Sequence, residues 1–205
     1  MAKSPNPRRR RTRSGPPGAF RIIGGEWRSR RLDVPPLEGV RPTPDRVRET
    51  LFNWLAPLIT GARCLDLYAG SGALGLEALS RGAGAVEFVD RSHVALRQVA
   101  ASLDLLQCDR GRTVCMDAAA YLEGTVTPFD IVFLDPPYRL GLVGPAFARL
   151  VQRGWAGPAS AVYLEHEAGA VPPELPPGWK LARSAAAGQV RYHLARFEPH
   201  SAGET

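Results

Sequence analysis

Four consecutive residues, Asp135-Pro136-Pro137-Tyr138, carry the groups that a reaction at an exocyclic base amine needs. The Asp135 carboxylate and a backbone carbonyl held in direction by the prolines can accept the two amine N–H bonds, and the Tyr138 ring offers a face for the base. An aniline-like nitrogen is a weak nucleophile because its lone pair spreads into the ring. Holding both N–H bonds at acceptors draws that lone pair out toward an electrophile. Positioning and electrostatics then supply the acceleration, and no metal, catalytic cysteine or strong base is required. Pro-Pro pairs recur at Pro16-Pro17, Pro35-Pro36, Pro172-Pro173 and Pro176-Pro177, so the pair gains meaning only from its neighbours.

The second chemical stretch is Cys64 to Leu79, CLDLYAGSGALGLEAL, which reads as strand, tight turn and helix. Gly70 and Gly72 let the main chain approach a ligand, and the following helix aims free N–H groups at it. Gly70-x-Gly72-x-x-Gly75 satisfies the dinucleotide fingerprint, with Asp90 spaced to take ribose hydroxyls. Asp66, inside the strand ahead of the turn, points away from a pyrophosphate and toward an ammonium group. A nucleoside carrying an amino acid, such as S-adenosylmethionine, suits it better than a nicotinamide cofactor. A buried, hydrogen-bonded Asp in an ordinary strand-to-helix turn is the plainer alternative. Tyr68, Arg91 and Ala118, which adjoin these carboxylates or Asp117, complete the candidate cofactor set with Asp135.

Strands are expected near 63–68, 85–90, 112–116, 129–135 and 161–166, and helices near 73–81, 92–105, 117–123 and 141–153. This alternation predicts an α/β fold, a mainly parallel sheet covered by helices on both faces. Ligands of such sheets gather beyond the carboxyl ends of the strands, so Asp66, Asp90, Asp117 and Asp135 should converge on one crevice. Any of them could instead cap a helix, Asp117 above all. Trp179 to Phe197 reads as an antiparallel hairpin turning about Ala187-Gly188 and closing the sheet.

Upstream, FRIIGGEWRSRRL (20–32) suggests a hairpin around Gly24-Gly25, and a helix runs from Pro44 to about Leu58 with Thr43 as its N-cap. Val47, Leu51, Trp54, Leu55 and Leu58 form its buried stripe, and Arg46, Glu49 and Asn53 its opposite face. Trp27 among Arg21, Arg28, Arg30 and Arg31 suits RNA contact and, equally, an anchor to the core. Arg41, Thr43 and Arg46 surround a helix start from which they could reach a cofactor carboxylate or an RNA phosphate.

The formal charge is +6, from 26 Lys and Arg against 20 Asp and Glu. Six of the bases, Lys3, Arg8, Arg9, Arg10, Arg11 and Arg13, lie in the first 20 residues without an acid, so the remaining 20 balance the acids and the excess belongs to the tail. Residues 1–19 are expected to be a disordered, phosphate-seeking arm. Cys64, Cys108 and Cys115 lack metal-ligand spacing and read as small hydrophobes in a reducing cytoplasm. His93, His166, His193 and His200 look scattered and structural. No apolar run is long enough to span a membrane.

Taken together, RIIGGEWRSRRL, RPTPDRVRETLFNWL, LDLYAGSGALGLEALSRGA, FVD, DIVFLDPPY and AGQVRY resemble the bacterial RsmD family of small-subunit (16S) ribosomal RNA guanine-N2 methyltransferases. The resemblance covers nearly all of Phe20 to Phe197. It implies a class I S-adenosylmethionine-dependent methyltransferase fold, Rossmann-like, with a seven-stranded sheet (59–198), an N-terminal hairpin and helix extension that contacts RNA (20–58), and a frayed end (199–205). By motif, Asp66, Gly70 and Gly72 would contact the methionine half, Asp90 the ribose, Asp117 the adenine edge and Asp135 to Tyr138 the guanine. Arg28, Arg30, Arg31, Arg41, Thr43 and Arg46 would touch the RNA. A monomer acting in the cytoplasm on small-subunit RNA, naked or within an assembling 30S particle, is expected. Two other readings stay open, a DNA adenine-N6 methyltransferase and a non-catalytic RNA-binding assembly protein.

Overall fold

Short apolar strands joined by helices pair in parallel because each right-handed crossover returns the chain to the same edge of the sheet. The computed structural model describes residues 19–33, 43–138 and 140–199. The expected tail, Arg41, the Val34-Pro35-Pro36 link and His200 lie outside them, except that Ala19 opens the first strand. A ribbon of β1 (Ala19–Arg21) and β2 (Arg31–Asp33) precedes α1 (Asp45–Leu55). Then come β3 (Arg63–Asp66), α2 (Ala73–Ser80), β4 (Ala85–Asp90), α3 (His93–Leu105), β5 (Gly111–Cys115) and α4 (Ala118–Leu122). The chain continues through β6 (Ile131–Leu134), α5 (Val143–Arg153) and β7 (Ala161–Glu167) to the hairpin β8 (Trp179–Ala187) and β9 (Val190–Phe197).

The seven-stranded sheet has the order β5-β4-β3-β6-β7-β9-β8, parallel from β5 to β7 and antiparallel where β9 meets β7 and β8. The expected parallel sheet with its antiparallel hairpin is therefore present. From β3 the chain moves outward through β4 to β5, then returns to place β6 on the other side of β3, with Asp66 opposite Phe133. That reversal opens a crevice at the carboxyl ends of β3 and β6, where open α/β sheets take their ligands. Alternate strand residues feed two cores. Cys64, Phe88, Phe133 and Tyr163 pack with α1, α2 and α3, whereas Leu65, Val132, Leu134 and Leu164 pack with α4 and α5.

The N-terminal ribbon joins the first of these cores through Phe20, Ile22, Trp27 and Leu32. A buried carboxylate on α2 fastens it. Glu77 accepts hydrogen bonds from Ile23 N (2.8 Å), Gly24 N (2.9 Å), Arg81 Nε (2.7 Å) and Arg48 Nη1 (3.4 Å). Ser80 Oγ accepts from Trp27 N at 3.0 Å and donates to Gly24 O at 2.6 Å. Gly25 passes so close that a Cβ there would lie 1.8 Å from Ser80 O, and its φ of +79° also excludes most side chains. Trp27 is buried with the Arg110 guanidinium 5.7 Å over its ring, so of the two readings of this residue the anchor is the one found.

Several expectations need correction. Thr43 does not cap α1; Pro44 occupies that position without a side-chain hydrogen bond, and Thr43 O instead accepts from Arg48 Nε at 3.2 Å. The helix ends at Leu55 and buries Arg48 and Phe52, while Trp54 is only partly buried, stacked 5.5 Å from Tyr192. Cys115 is in a strand but exposed, because β5 is the sheet edge. His166 and His193 are not scattered: their Nε2 atoms lie 3.1 Å apart across the β7–β9 pair. Burial, the neighbouring His166 and then Arg191 push the His193 imidazole down to about 4, so it is neutral at physiological pH. Among the described residues, no helix is long and apolar enough to cross a membrane.

Candidate functional site

Asp66 ends β3 with only 3% of its surface exposed. Its Oδ2 accepts from Gly75 N, in the first turn of α2, at 3.0 Å. Burial pushes its carboxyl up to about 7 against the opposing Gly75 N–H, and the charge of Asp90 adds to the rise. Between strand and helix, Gly70 (φ +50°) and Gly72 (φ +73°) adopt left-handed backbone angles that turn the chain sharply, and Ala69–Ser71 line the cleft. Gly72 itself faces Val99 and Phe88 from behind the turn and does not line the cleft.

Asp90, the last residue of β4, holds this turn from the side. Its Oδ2 accepts from Gly70 N at 2.8 Å and its Oδ1 from Ser92 N at 2.7 Å, leaving one lone pair on each oxygen for a diol. Asp117 caps α4 through Oδ1, taking Ala119 N at 2.9 Å and Ala120 N at 3.3 Å, so the capping objection is met and Oδ2 stays available. Asp66, Tyr68, Gly70, Asp90, Arg91, Asp117 and Ala118 line one cleft of about 190 Å³. Asp135, Pro136, Pro137 and Tyr138 line the same cleft, as does Thr43. The two chemical stretches, about seventy residues apart in the sequence, therefore meet at the β3/β6 reversal.

At the Asp135 end of the cleft, burial raises the Asp135 carboxyl well above the usual range, with Glu165 and then Asp66 adding to it. Among the described residues nothing donates a hydrogen bond to Asp135. Pro136 is buried, Pro137 and Tyr138 are exposed, and the Tyr138 hydroxyl donates to Glu165 Oε1. Beyond Tyr138 opens a second cavity of about 760 Å³ between the start of α5 and the Pro-rich segment around Pro173–Pro177. Pro136, Pro137, Tyr138 and Leu142 belong to the walls of both.

Comparison with known proteins agrees with this arrangement. The family described as Conserved hypothetical protein 95 matches residues 20–196. Ribosomal RNA small subunit methyltransferase D of Escherichia coli is 46% identical over 181 residues, 88% of this chain and 91% of that protein. The chain belongs to the RsmD family. The solved structure of Escherichia coli yhhF superposes with a TM-score of 0.82 at 45% identity, over 88% of this chain and 99% of that one. SMU.776, solved with SAH, shares the fold alone at 16% identity and a TM-score of 0.61, over 89% of this chain and 57% of that one. The architecture is thus that of class I methyltransferases.

Within this RsmD-family fold the residues expected to touch RNA divide. Thr43 is on the cleft and Arg46 is exposed on the first turn of α1. Arg28 and Arg30 are elsewhere: their turn packs against Ser80 at the end of α2, and Arg30 Nη2 reaches Leu105 O, the last residue of α3, at 3.3 Å. Since α3 starts beside the cleft and its 13 residues extend roughly 20 Å, the Arg30 guanidinium lies about that far from the cleft. Arg31, exposed on β2 and paired with Arg21, also lies off the cleft. Sequence reasoning missed Glu165, although a glutamate directly following the apolar run Ala161–Leu164 within one strand is the kind of break that marks a buried charge. It also missed the second cavity, which no local pattern encodes.

Proposed function

We propose that this chain transfers the methyl group of S-adenosylmethionine to the exocyclic N2 amine of a guanine in small-subunit ribosomal RNA. The observation that carries the reading is the shared cleft, with a nucleoside cradle at Asp66–Asp90 and free amine acceptors at Asp135–Pro136. The name of the Escherichia coli relative supports the RNA and the small subunit. The chemistry of the residues fits the donor: Asp66 is a buried carboxyl on the cleft wall beside two others, Asp90 and Asp135, and burial with their mutual repulsion raises Asp66 and Asp135, a cost of ionisation that a cationic ligand would relieve. Asp66 and the turn at Gly70 would hold the methionine half, Asp90 the ribose and Asp117 with Ala118 the adenine. Bound there, S-adenosylmethionine supplies an electrophilic methyl group on a sulfonium. Asp135 and the Pro136 carbonyl accept the N–H bonds of the amine, Tyr138 supports the base, and Asp135 is placed to receive the proton released as the new N–C bond forms.

Mass mapping of methylated guanines in small-subunit RNA from cells with and without this protein tests the reading. One N2-methylguanine that disappears with the protein is the expected result, and an unchanged map rejects it.

The raised Asp66 carboxyl makes donor binding depend on pH. An ammonium group is held by the ionised form, so affinity rises with pH up to about 7 and levels off above it. Calorimetric titration should give about a tenfold loss per pH unit below that point, abolished in Asp66→Asn. The folded free protein shows the opposite sign. Its contribution from neutral Asp66 is complete below the ordinary value of 3.8 and is lost as pH rises through about 7. Asp90→Ala, which removes a hydroxyl acceptor and a support of the turn together, should weaken donor binding by about ten- to a hundredfold. Unchanged affinity by titration would remove Asp90 from the ribose.

A further inference from the structure

Glu165 sits in β7 with 2% of its surface exposed, a position where a carboxylate is costly to keep unless it is paired. No cation pairs with it among the described residues. Its partners are two phenols: Tyr163 donates to Oε2 at 2.6 Å and Tyr138 to Oε1. Leu134 of β6 pairs with Leu164 of β7, so the next residues, Asp135 just past the end of β6 and Glu165 still within β7, are neighbours. An unpaired anion held against Asp135 weakens the fold and raises the cost of ionising Asp135. Apolar residues of similar size would pack there without that cost.

The placement of Tyr138 accounts for this arrangement. Its ring is 37% exposed, follows two prolines and stands in the wall between the 190 Å³ cleft and the 760 Å³ cavity. A phenol ring with two free torsions could turn into either space, blocking the amine site or vacating it. A hydrogen bond to a carboxylate fixed in the neighbouring strand removes that freedom, and Tyr163 fixes the carboxylate in turn. We propose that Glu165 is a positioning residue: it latches the Tyr138 hydroxyl so that the ring stays as the partition against which the target base is held. The inference rests on the reading of Tyr138 as the base-supporting face.

The test compares full-length wild type with Tyr138→Phe, Glu165→Gln and the double variant, using small-subunit RNA as substrate. Tyr138→Phe keeps the ring and cuts only the latch at a partly exposed site, so it should fold normally even if Glu165→Gln does not. Each single variant should lower kcat by about tenfold with the affinity for S-adenosylmethionine unchanged, and the double variant should be no slower than the slower single one. Ring-labelled tyrosine NMR gives a readout independent of turnover. The Tyr138 signal, assigned by its loss in Tyr138→Phe, should shift in Glu165→Gln. Tyr138→Phe turning over at the wild-type rate, multiplying effects in the double variant, or an unmoved Tyr138 signal would each overturn the latch. A wild-type chain that methylates no RNA while the Tyr138 signal still shifts would instead reject the reading of the site, leaving the hydrogen bond as its remainder.

Discussion

Asp135→Ala should abolish methyl transfer, lowering turnover by about a thousandfold or more while S-adenosylmethionine still binds with near wild-type affinity. The size follows from what is removed. Asp135 is the one carboxylate at this end of the cleft that no described residue already engages, and the amine has only it and a proline carbonyl to draw out its lone pair. The cradle around Gly70 rests on Asp66, Asp90 and the start of α2, none of which depends on Asp135. Single-turnover assays with labelled donor, alongside titration of the donor, separate the two effects. Turnover near wild type would mean that the chemistry occurs elsewhere. Asp135→Asn is the stricter variant, because an amide presents a donor where an acceptor is needed. It should fall nearly as far.

The second large effect concerns stability. Glu77→Gln should destabilise the fold by about 3–5 kcal/mol, roughly 10 °C in Tm for a chain of this size. Glu77 is fully buried and satisfies two guanidinium groups and two ribbon N–H groups at once. An amide turns one acceptor into a donor facing those N–H groups and leaves the buried Arg48 with Asp45 as its remaining carboxylate partner, at 2.6 Å. Burial, and to a lesser degree the charge of Arg21, lowers the Arg48 pKa while Glu77 and Asp45 raise it, so losing Glu77 exposes the desolvation cost directly. Chemical denaturation of wild type and variant measures this, and an unchanged midpoint would show that the ribbon is held by its apolar side chains alone. Because Glu77 lies one helical turn or more beyond the glycine turn, the ribbon and the donor cradle share α2 as a common support.

Much of this was legible in residue order. The alternation of apolar runs with helical stripes placed β4 at 85–90 and the terminal hairpin at 179–197 as observed, because short apolar runs bounded by glycine turns mark strands whatever they pack against. The glycine turn was legible because its backbone angles admit few other residues. Asp135–Tyr138 was legible because two prolines stop a strand wherever they fall. Elsewhere local pattern misled. Thr43 had the look of a helix cap yet lies buried on the cleft, since the tertiary role of Arg48 claims its carbonyl. Arg30, expected among the RNA-contacting residues, is carried by the ribbon to the far end of α3, a position relative to the cleft that its local pattern does not encode.

The types and spacing of its residues by themselves determined that this chain builds a parallel α/β sheet, a glycine turn between strand and helix, and a strand stopped by two prolines at Asp135–Tyr138, since each of these is a property of a few neighbouring residues. That Glu165 reaches Tyr138 and that Glu77 gathers four donors from three separate segments were decided only in three dimensions, and the shared cleft, which the strand alternation led one to expect, is realised by the strand order. The physical reason is strand order. Placing β6 beside β3 is worth nothing to either strand until the crossovers between them are packed, so no local sequence signal carries it.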